Sequence, residues 1–272
     1  MFIKNNSPAN RRWKLRRLSI ATDIFKYIAV MGFIAWLTYN GTERLGYNWQ
    51  WFQIPKYFFS AEKGGLFAGP LLRGLIVTLH ITGISILFSL AAGLITALLR
   101  LSKSISGRMI ARLYLEIIRN TPLLVQLFFI YFVISPILDI NRFTSAVIAL
   151  SLFEGAYISE VFRSGIISIH KGQWEAAYSL GMGRFDTYVN IILPQAVRRI
   201  LPPLTNQIIS LIKDSALVST IAIYDLTMEG RVIIAETYLT FEIWFTIALI
   251  YLIITISLSL SVNMMEKRLL NN

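Results

Sequence analysis

The chain predicts an all-α integral membrane protein of about six transmembrane helices, and three observations carry that expectation. Of 272 residues, 55% are hydrophobic and 15% charged, with a mean hydropathy of +0.60, a balance that a water-soluble fold of this size rarely tolerates. Apolar runs long enough to cross a hydrocarbon core about 30 Å thick, which takes roughly 20 helical residues, recur along most of the sequence. Their length excludes a barrel of short alternating strands.

The first expected span, Ile20–Tyr39, follows a basic N-terminus at 1–19 and leads into an outer loop that ends near residue 70. The aromatic stretch Tyr47 to Phe59 in that loop suits anchoring at the membrane interface by Trp49 and Trp51. No small-residue cleavage pattern follows the span, and "LTYNGTERLG" reads as a loop, so the segment reads as a retained anchor rather than a signal peptide. The second span, Leu71–Leu99, and the sixth, Ile243–Met265, are the cleanest, since Gly74 to Leu99 and Ile243 to Met265 contain no Asp, Glu, Lys or Arg. The third, Leu113–Pro136, the fourth, Phe143–Val161, and the fifth, Ile191–Ile212, each carry charge. Intramembrane charge costs about 2.5 to 3.5 kcal/mol on insertion scales, so these three should face a protein interior rather than lipid.

Lys and Arg placement orients the spans. The first 22 residues hold Lys4, Arg11, Arg12, Lys14, Arg16 and Arg17 and no acid, which places the N-terminus in the cytoplasm; six spans return residues 266–272 to the same side. On that topology the cytoplasmic side carries 17 basic residues and the outer side 7, with Lys26 and Arg119 inside spans. The net charge of +11 follows from this one-sided bias, which anionic lipid explains, and nucleic acid is not an expected partner. With no cysteine, the chain has no disulfide, thiol nucleophile or Cys metal site.

Between the fourth and fifth spans, "KGQWEAAYSLGMGR" places Trp174, Ala177, Tyr178 and Gly181 at i, i+3, i+4 and i+7, one face of a short helix on the cytoplasmic side, with Gly172 and Gly183 as punctuation. Composition alone suits a helix lying on the membrane surface. The longer spacing points elsewhere. Glu175, Ala176, Ala177 and Gly181 are followed by Ile191, Leu193 and Pro194, and this pattern resembles the EAA signature of ABC importer permeases. The resemblance implies a coupling helix at about 172–188 that inserts into a separate nucleotide-binding subunit, with Gln173, Trp174, Glu175, Ala176, Ala177, Gly181, Gly183 and Pro194 as its residues. Small Ala and Gly would let backbones approach, Glu175 near the helix start could cap it or meet a cation, and Pro194 would break the helix before the next span.

Further stretches narrow the family. "IIRNTPLLVQLFFIYF" (117–132), "AYISEVFRSGI" (156–166) and "ILPQAVRRILPPLTNQIISLIKDSALVSTIAIYDL" (192–226) resemble the polar amino acid branch of type I ABC permeases, the histidine, glutamine and glutamate permeases. The resemblance implies a MetI-like permease domain over 71–265, with residues 20–70 an added helix and loop outside it. One departure is Asn120, where the family usually has Gly. The implied partners are a dimer of ABC ATPase subunits, which bind ATP and Mg, a second permease subunit, identical or related, an extracytoplasmic substrate-binding protein and membrane lipid. The implied location is the bacterial inner membrane.

The remaining charged residues admit two readings each. Glu154 lies near the midplane of the fourth span, where it either pairs with a cation or hydroxyl on a neighbouring helix or accepts the amino group of a transported amino acid. Glu160 and Arg163 fit a helix-end ion pair, and Glu116 and Arg119 repeat the spacing before Thr121 and Pro122. A kink there would bring Asn120, Thr121 and Gln126 to the pathway; Gln126 is otherwise interhelical glue. Lys213, Asp214 and Ser215, at the outer end of the fifth span, suit either mutual charge satisfaction or a gate or docking contact for the external binding protein. Asp225, Glu229 and Arg231 fall in the following outer loop, open to a docking partner, while His80 and His170 stand apart from any metal-ligand spacing.

No phosphate loop, nucleophile elbow or His-Glu-x-x-His occurs, so the chain is expected to be no enzyme and to draw its energy from a partner. An ion-coupled transporter using Glu154, or a membrane adaptor that only recruits a soluble protein, would leave the pattern around Glu175 unexplained.

Overall fold

The computed structural model describes residues 8–44, 46–62 and 65–270. It divides into two compact units, Met1–Gln50 and Trp51–Asn272. The first contains one helix, α1 (Pro8–Arg44), which includes the expected span Ile20–Tyr39. Phe25, Ile28, Phe33 and Trp36 are exposed along it, and Lys26 meets Asp23 at 3.8 Å one turn away.

The second unit begins earlier than residue 71. A 3₁₀ turn (Trp51–Gln53), α2 (Pro55–Phe58) and an antiparallel pair, β1 (Phe59–Glu62) with β2 (Gly65–Ala68), precede the first long helix of the unit. Ile54 and Tyr57 are buried with Leu71, Leu226, Leu239 and Ile243, so this stretch belongs to the bundle. Gly69 makes the join: its N–H donates to the Phe58 carbonyl at 2.7 Å, and a Cβ there would stand 2.4 Å from the Tyr57 oxygen.

The bundle consists of α3 (Pro70–Leu101), α4 (Ile105–Arg119), α5 (Leu123–Phe129), α6 (Ser135–Leu138), α7 (Arg142–Ile167), α8 (Lys171–Ser179), α9 (Arg184–Thr187), α10 (Leu193–Asp214), α11 (Leu226–Thr237) and α12 (Thr240–Leu270). Among the described residues, three helices are long and apolar enough to cross a membrane (70–101, 142–167 and 240–262), and two bent pairs raise the count to five. The expected third span, Leu113–Pro136, is not continuous: α4 and α5 meet at 105° across Asn120–Pro122. The expected fifth span sits in a longer helical run, Arg184–Ile221, where Pro194 does not break the chain. A π segment, Tyr188–Ile192, widens the turn ahead of it, and a second π segment, Ile130–Ile134, precedes Pro136 in the same way. The outer loop expected around Asp225 is mostly helix α11.

The core lies between α3 and α7. Of an 18-residue apolar window, 67% is buried in α7 and 17% in α12, which matches the expectation that the charged fourth span faces protein. The contact uses small residues: a Cβ on Gly93 would meet Ile158 Cγ2 at 2.6 Å, and one on Gly155 would meet Ala92 Cβ at 3.0 Å. Ser151 Oγ donates across the seam to the Ser85 carbonyl at 3.3 Å.

Candidate functional site

Glu154 is 1% exposed on α7, and its Oε1 has no hydrogen-bond partner. Neither cation nor hydroxyl from a neighbouring helix satisfies that oxygen. Asp214 is half-buried at the end of α10. Among the described residues Lys213 makes no ion pair within 4.0 Å of Asp214, and Lys213 is exposed. Ser215 is buried and donates to the Ile212 carbonyl at 2.8 Å, so its hydroxyl belongs to the helix end. Glu154 is thus a buried carboxyl group with one oxygen unpartnered, open to a hydrogen-bond donor or an ammonium group. Asp225 is buried as the N-cap of α11, accepting from the Met228 N–H at 2.9 Å, and is not an exposed docking contact; Arg231 is exposed.

The α4–α5 break brings together the third-span residues. Asn120 Nδ2 donates to the Glu116 carbonyl at 2.7 Å and to Glu116 Oε2 at 3.0 Å, while Thr121 Oγ1 donates to the Ile117 carbonyl. Gln126 Nε2 reaches back to the carbonyls of Ile118 at 2.7 Å and Thr121 at 2.9 Å, which the break would otherwise orphan. Because two carbonyls fix the amide nitrogen, the Gln126 oxygen points the other way and is buried without a partner. Thr121 and Gln126 line a largely apolar groove of about 510 Å³ along α5, with Ile117, Val125 and Leu152. Asn120 has φ −99°, so the backbone at this departure from the family pattern requires no glycine.

Glu116 does not pair with Arg119 as its spacing suggested. Arg119 instead joins Arg100 and Arg163 on one carboxylate, Glu160, at 3.1 Å from Arg119 and 3.0 Å from Arg163. Arg100, Arg112, Arg119, Glu116, Asn120 and Glu160 line a polar cavity of about 340 Å³. Sequence reasoning missed Arg100, Arg112 and Tyr157 in this wall: the two arginines look like loop charges, and only the path of α4 across the ends of α3 and α7 brings them to Glu160.

The loop helix α8 is shorter than the 172–188 expected. His170 caps its start by accepting the Gly172 N–H on Nδ1 at 3.0 Å, the role that Glu175 was open to fill. Gly181 ends it at φ +78°, with the Met182 and Gly181 N–H groups on the carbonyls of Ala177 at 3.1 Å and Tyr178 at 3.0 Å, a Schellman turn. No atom lies within 4 Å of a Cβ built there, so Gly181 supplies a left-handed backbone rather than close approach within this chain. Gly183 starts the next helix. Trp174 and Ala177 face inward, with Trp174 packed against the buried cluster that contains Ile169, Ile192 and Ala196 and edge-on to the Tyr188 ring at 5.9 Å. Gln173 Oε1 accepts from Gln195 Nε2 at 3.2 Å, and Arg199 donates to the Ser168 carbonyl at 2.6 Å. Glu175, Ala176, Tyr178 and Leu180 face outward. Among the described residues no group of three or more His, Asp or Glu could hold a metal ion.

Comparison with known proteins agrees with this architecture. The glutamine transport system permease protein GlnP of Escherichia coli (strain K12) is 40% identical over 202 residues, 73% of this chain and 92% of that protein. The L-cystine transport system permease protein TcyB of Bacillus subtilis (strain 168) is 40% identical over 227 residues, 83% of this chain and 93% of that protein. The crystal structure of an amino acid ABC transporter with histidines superposes with a TM-score of 0.74 at 36% identity, covering 82% of this chain and 100% of that chain. An inward-facing form of the MetNI methionine ABC transporter shares the fold at a TM-score of 0.61 and 19% identity, over 73% of this chain and 95% of that chain. The family model for binding-protein-dependent transport system inner membrane components matches residues 89–271, and the chain belongs to that family of ABC importer permeases.

Proposed function

We propose that the chain is the transmembrane permease subunit of an ATP-driven importer for a polar amino acid, working by alternating access. The observation that carries this reading is the clamped position of α8. Trp174 and Gln173 tie it to Tyr188 and Gln195, Arg199 ties α10 to the Ser168 carbonyl at the end of α7, and the outer face of α8 is exposed for a partner. A push on α8 is therefore transmitted to the base of α7 and α10, the helices that hold Glu154 and Asp214. Two ATPase subunits, binding ATP and Mg, would supply that push. The Glu175, Ala176 and Ala177 stretch, with Gly181, Gly183 and Pro194 behind it, forms the coupling element. A second permease subunit completes the pathway, and an extracytoplasmic binding protein delivers substrate from the side opposite both chain termini. Residues 71–265 act as the permease domain.

In the pathway, Glu154 receives the substrate ammonium with Asp214 nearby, and Asn120, Thr121 and Gln126 line the approach at the α4–α5 break. The names of the glutamine and cystine relatives support an amino acid as cargo. The test is uptake by vesicles holding the chain with its ATPase and binding protein. ATP-dependent uptake of labelled glutamine or cystine is expected, and Glu154→Gln should reduce uptake at least tenfold, the effect of losing one charge-assisted contact of about 1.4 kcal/mol or more. Uptake that survives ATP depletion and collapses with an ionophore would overturn the reading in favour of ion coupling.

A further inference from the structure

The arginine-lined cavity lies beside a surface that suits lipid. Helix α4 has three faces. Ala111 and Leu115 are buried against the bundle. Ile105, Met109, Leu113 and Ile117, spaced four apart, are 76%, 73%, 61% and 56% exposed and make one apolar stripe. Arg112 and Glu116 border that stripe, at i+3 from Met109 and Leu113 respectively. With α5 entering the bundle at 105° to α4, a helix of this pattern lies along the membrane surface.

The cavity on its polar edge carries excess positive charge. Arg100, Arg119 and Arg163 share Glu160, and Glu116 Oε2 accepts from Asn120, while Arg112 makes no ion pair within 4.0 Å among the described residues. Glu160 holds Arg100 and Arg119, and both line, with Arg112, the same space of about 340 Å³. We propose that this cavity is a headgroup site for an anionic phospholipid of the cytoplasmic leaflet. The phosphate sits between Arg112 and Arg119, and the acyl chains lie along the stripe from Ile105 to Ile117. A soluble phosphate would use the arginines alone; the adjoining apolar stripe selects the lipid. The inference rests on the permease reading for the sidedness of α4.

The test is native mass spectrometry of the full-length chain released from vesicles containing phosphatidylglycerol or phosphatidylcholine. Phosphatidylglycerol is expected to stay bound and phosphatidylcholine to wash away. Arg112→Gln should lower phosphatidylglycerol retention about tenfold, the loss of one charge-assisted pair, whereas Arg198→Gln, at an exposed position outside the cavity, should leave it unchanged. Thermal unfolding of Arg112→Gln that matches the parent chain separates lost lipid from lost fold; if it does not match, Arg112→Lys, which keeps the charge, should recover retention. Equal retention of both lipids, undiminished retention in Arg112→Gln, or displacement by millimolar inorganic phosphate alone would overturn the proposal. None of these readouts uses substrate or ATP, so a failed uptake assay leaves them interpretable.

Discussion

Two proline-bearing stretches of this bundle behave in opposite ways. At Asn120–Pro122 the helix turns through 105°, yet Arg184–Ile221 carries Pro194, Pro202 and Pro203 as one helical run. Proline removes one N–H and crowds the carbonyl four residues back in both places. Around Pro194 the preceding π segment bonds Leu193 N–H to the Tyr188 carbonyl, five residues back, and the wider turn gives the ring room. Around Pro122 no wide turn precedes. Asn120 and Thr121 bond the Glu116 and Ile117 carbonyls with their own side chains, and Gln126 takes up the next ones from beyond the break. A proline thus marks a place where backbone groups need new partners, and the neighbouring side chains decide whether the helix bends.

The largest expected effect comes from removing the far-side partner. Gln126→Leu leaves the Ile118 and Thr121 carbonyls without their donor in a buried setting and should cost about 3 kcal/mol, read as a lowered unfolding temperature in lipid nanodiscs; an unchanged temperature would mean the bend needs no such support. Gly181→Val tests a third way of ending a helix. A β-branched residue at φ +78° should cost about 1 to 2 kcal/mol, and uptake coupled to ATP should fall further than stability because α8 loses its end. Asn120→Gly, which installs the usual family residue, should cost only about 0.5 to 1 kcal/mol, the bond to the Glu116 carbonyl. Pro194→Ala should change stability least, within about 0.5 kcal/mol, if the π segment already accommodates the ring. A gain approaching about 3 kcal/mol, the usual cost of a mid-helix proline, would show that Pro194 is strained and sink the explanation given above.

The same contrast explains what could be foreseen from residues. Long uncharged runs such as 74–99 and 243–265 announce their helices because lipid demands an apolar side chain at nearly every position. The buried fourth span was legible for a related reason, since Glu154 is too costly to face hydrocarbon. Pro122 and Pro194 look equivalent in a sequence, and the π turn that separates them leaves no compositional mark. The loop helix was placed by its motif, and of the four residues expected on one face Trp174 and Ala177 pack inside, while Tyr178 and Gly181 are exposed. Its true boundaries follow from His170 and the positive φ of Gly181, both local and in principle visible. The three-arginine grip on Glu160 was not visible, because Arg100 and Arg119 lie 60 and 41 residues away and meet it only after α4 crosses the helix ends.

The small-residue seam between α3 and α7 also bears on how the chain is made. During synthesis α3 enters the bilayer well before α7 leaves the ribosome, and its Ser89 and Thr82 hydroxyls meanwhile need partners. Both donate to carbonyls of their own helix, Ile86 at 2.9 Å and Thr78 at 2.7 Å, so the ridge that will later receive α7 can wait among lipid tails with those two groups satisfied. Docking of α7 then requires no exchange of these bonds; it fills the notches left by Gly93 and Gly155 and adds the Ser151 bond to the Ser85 carbonyl.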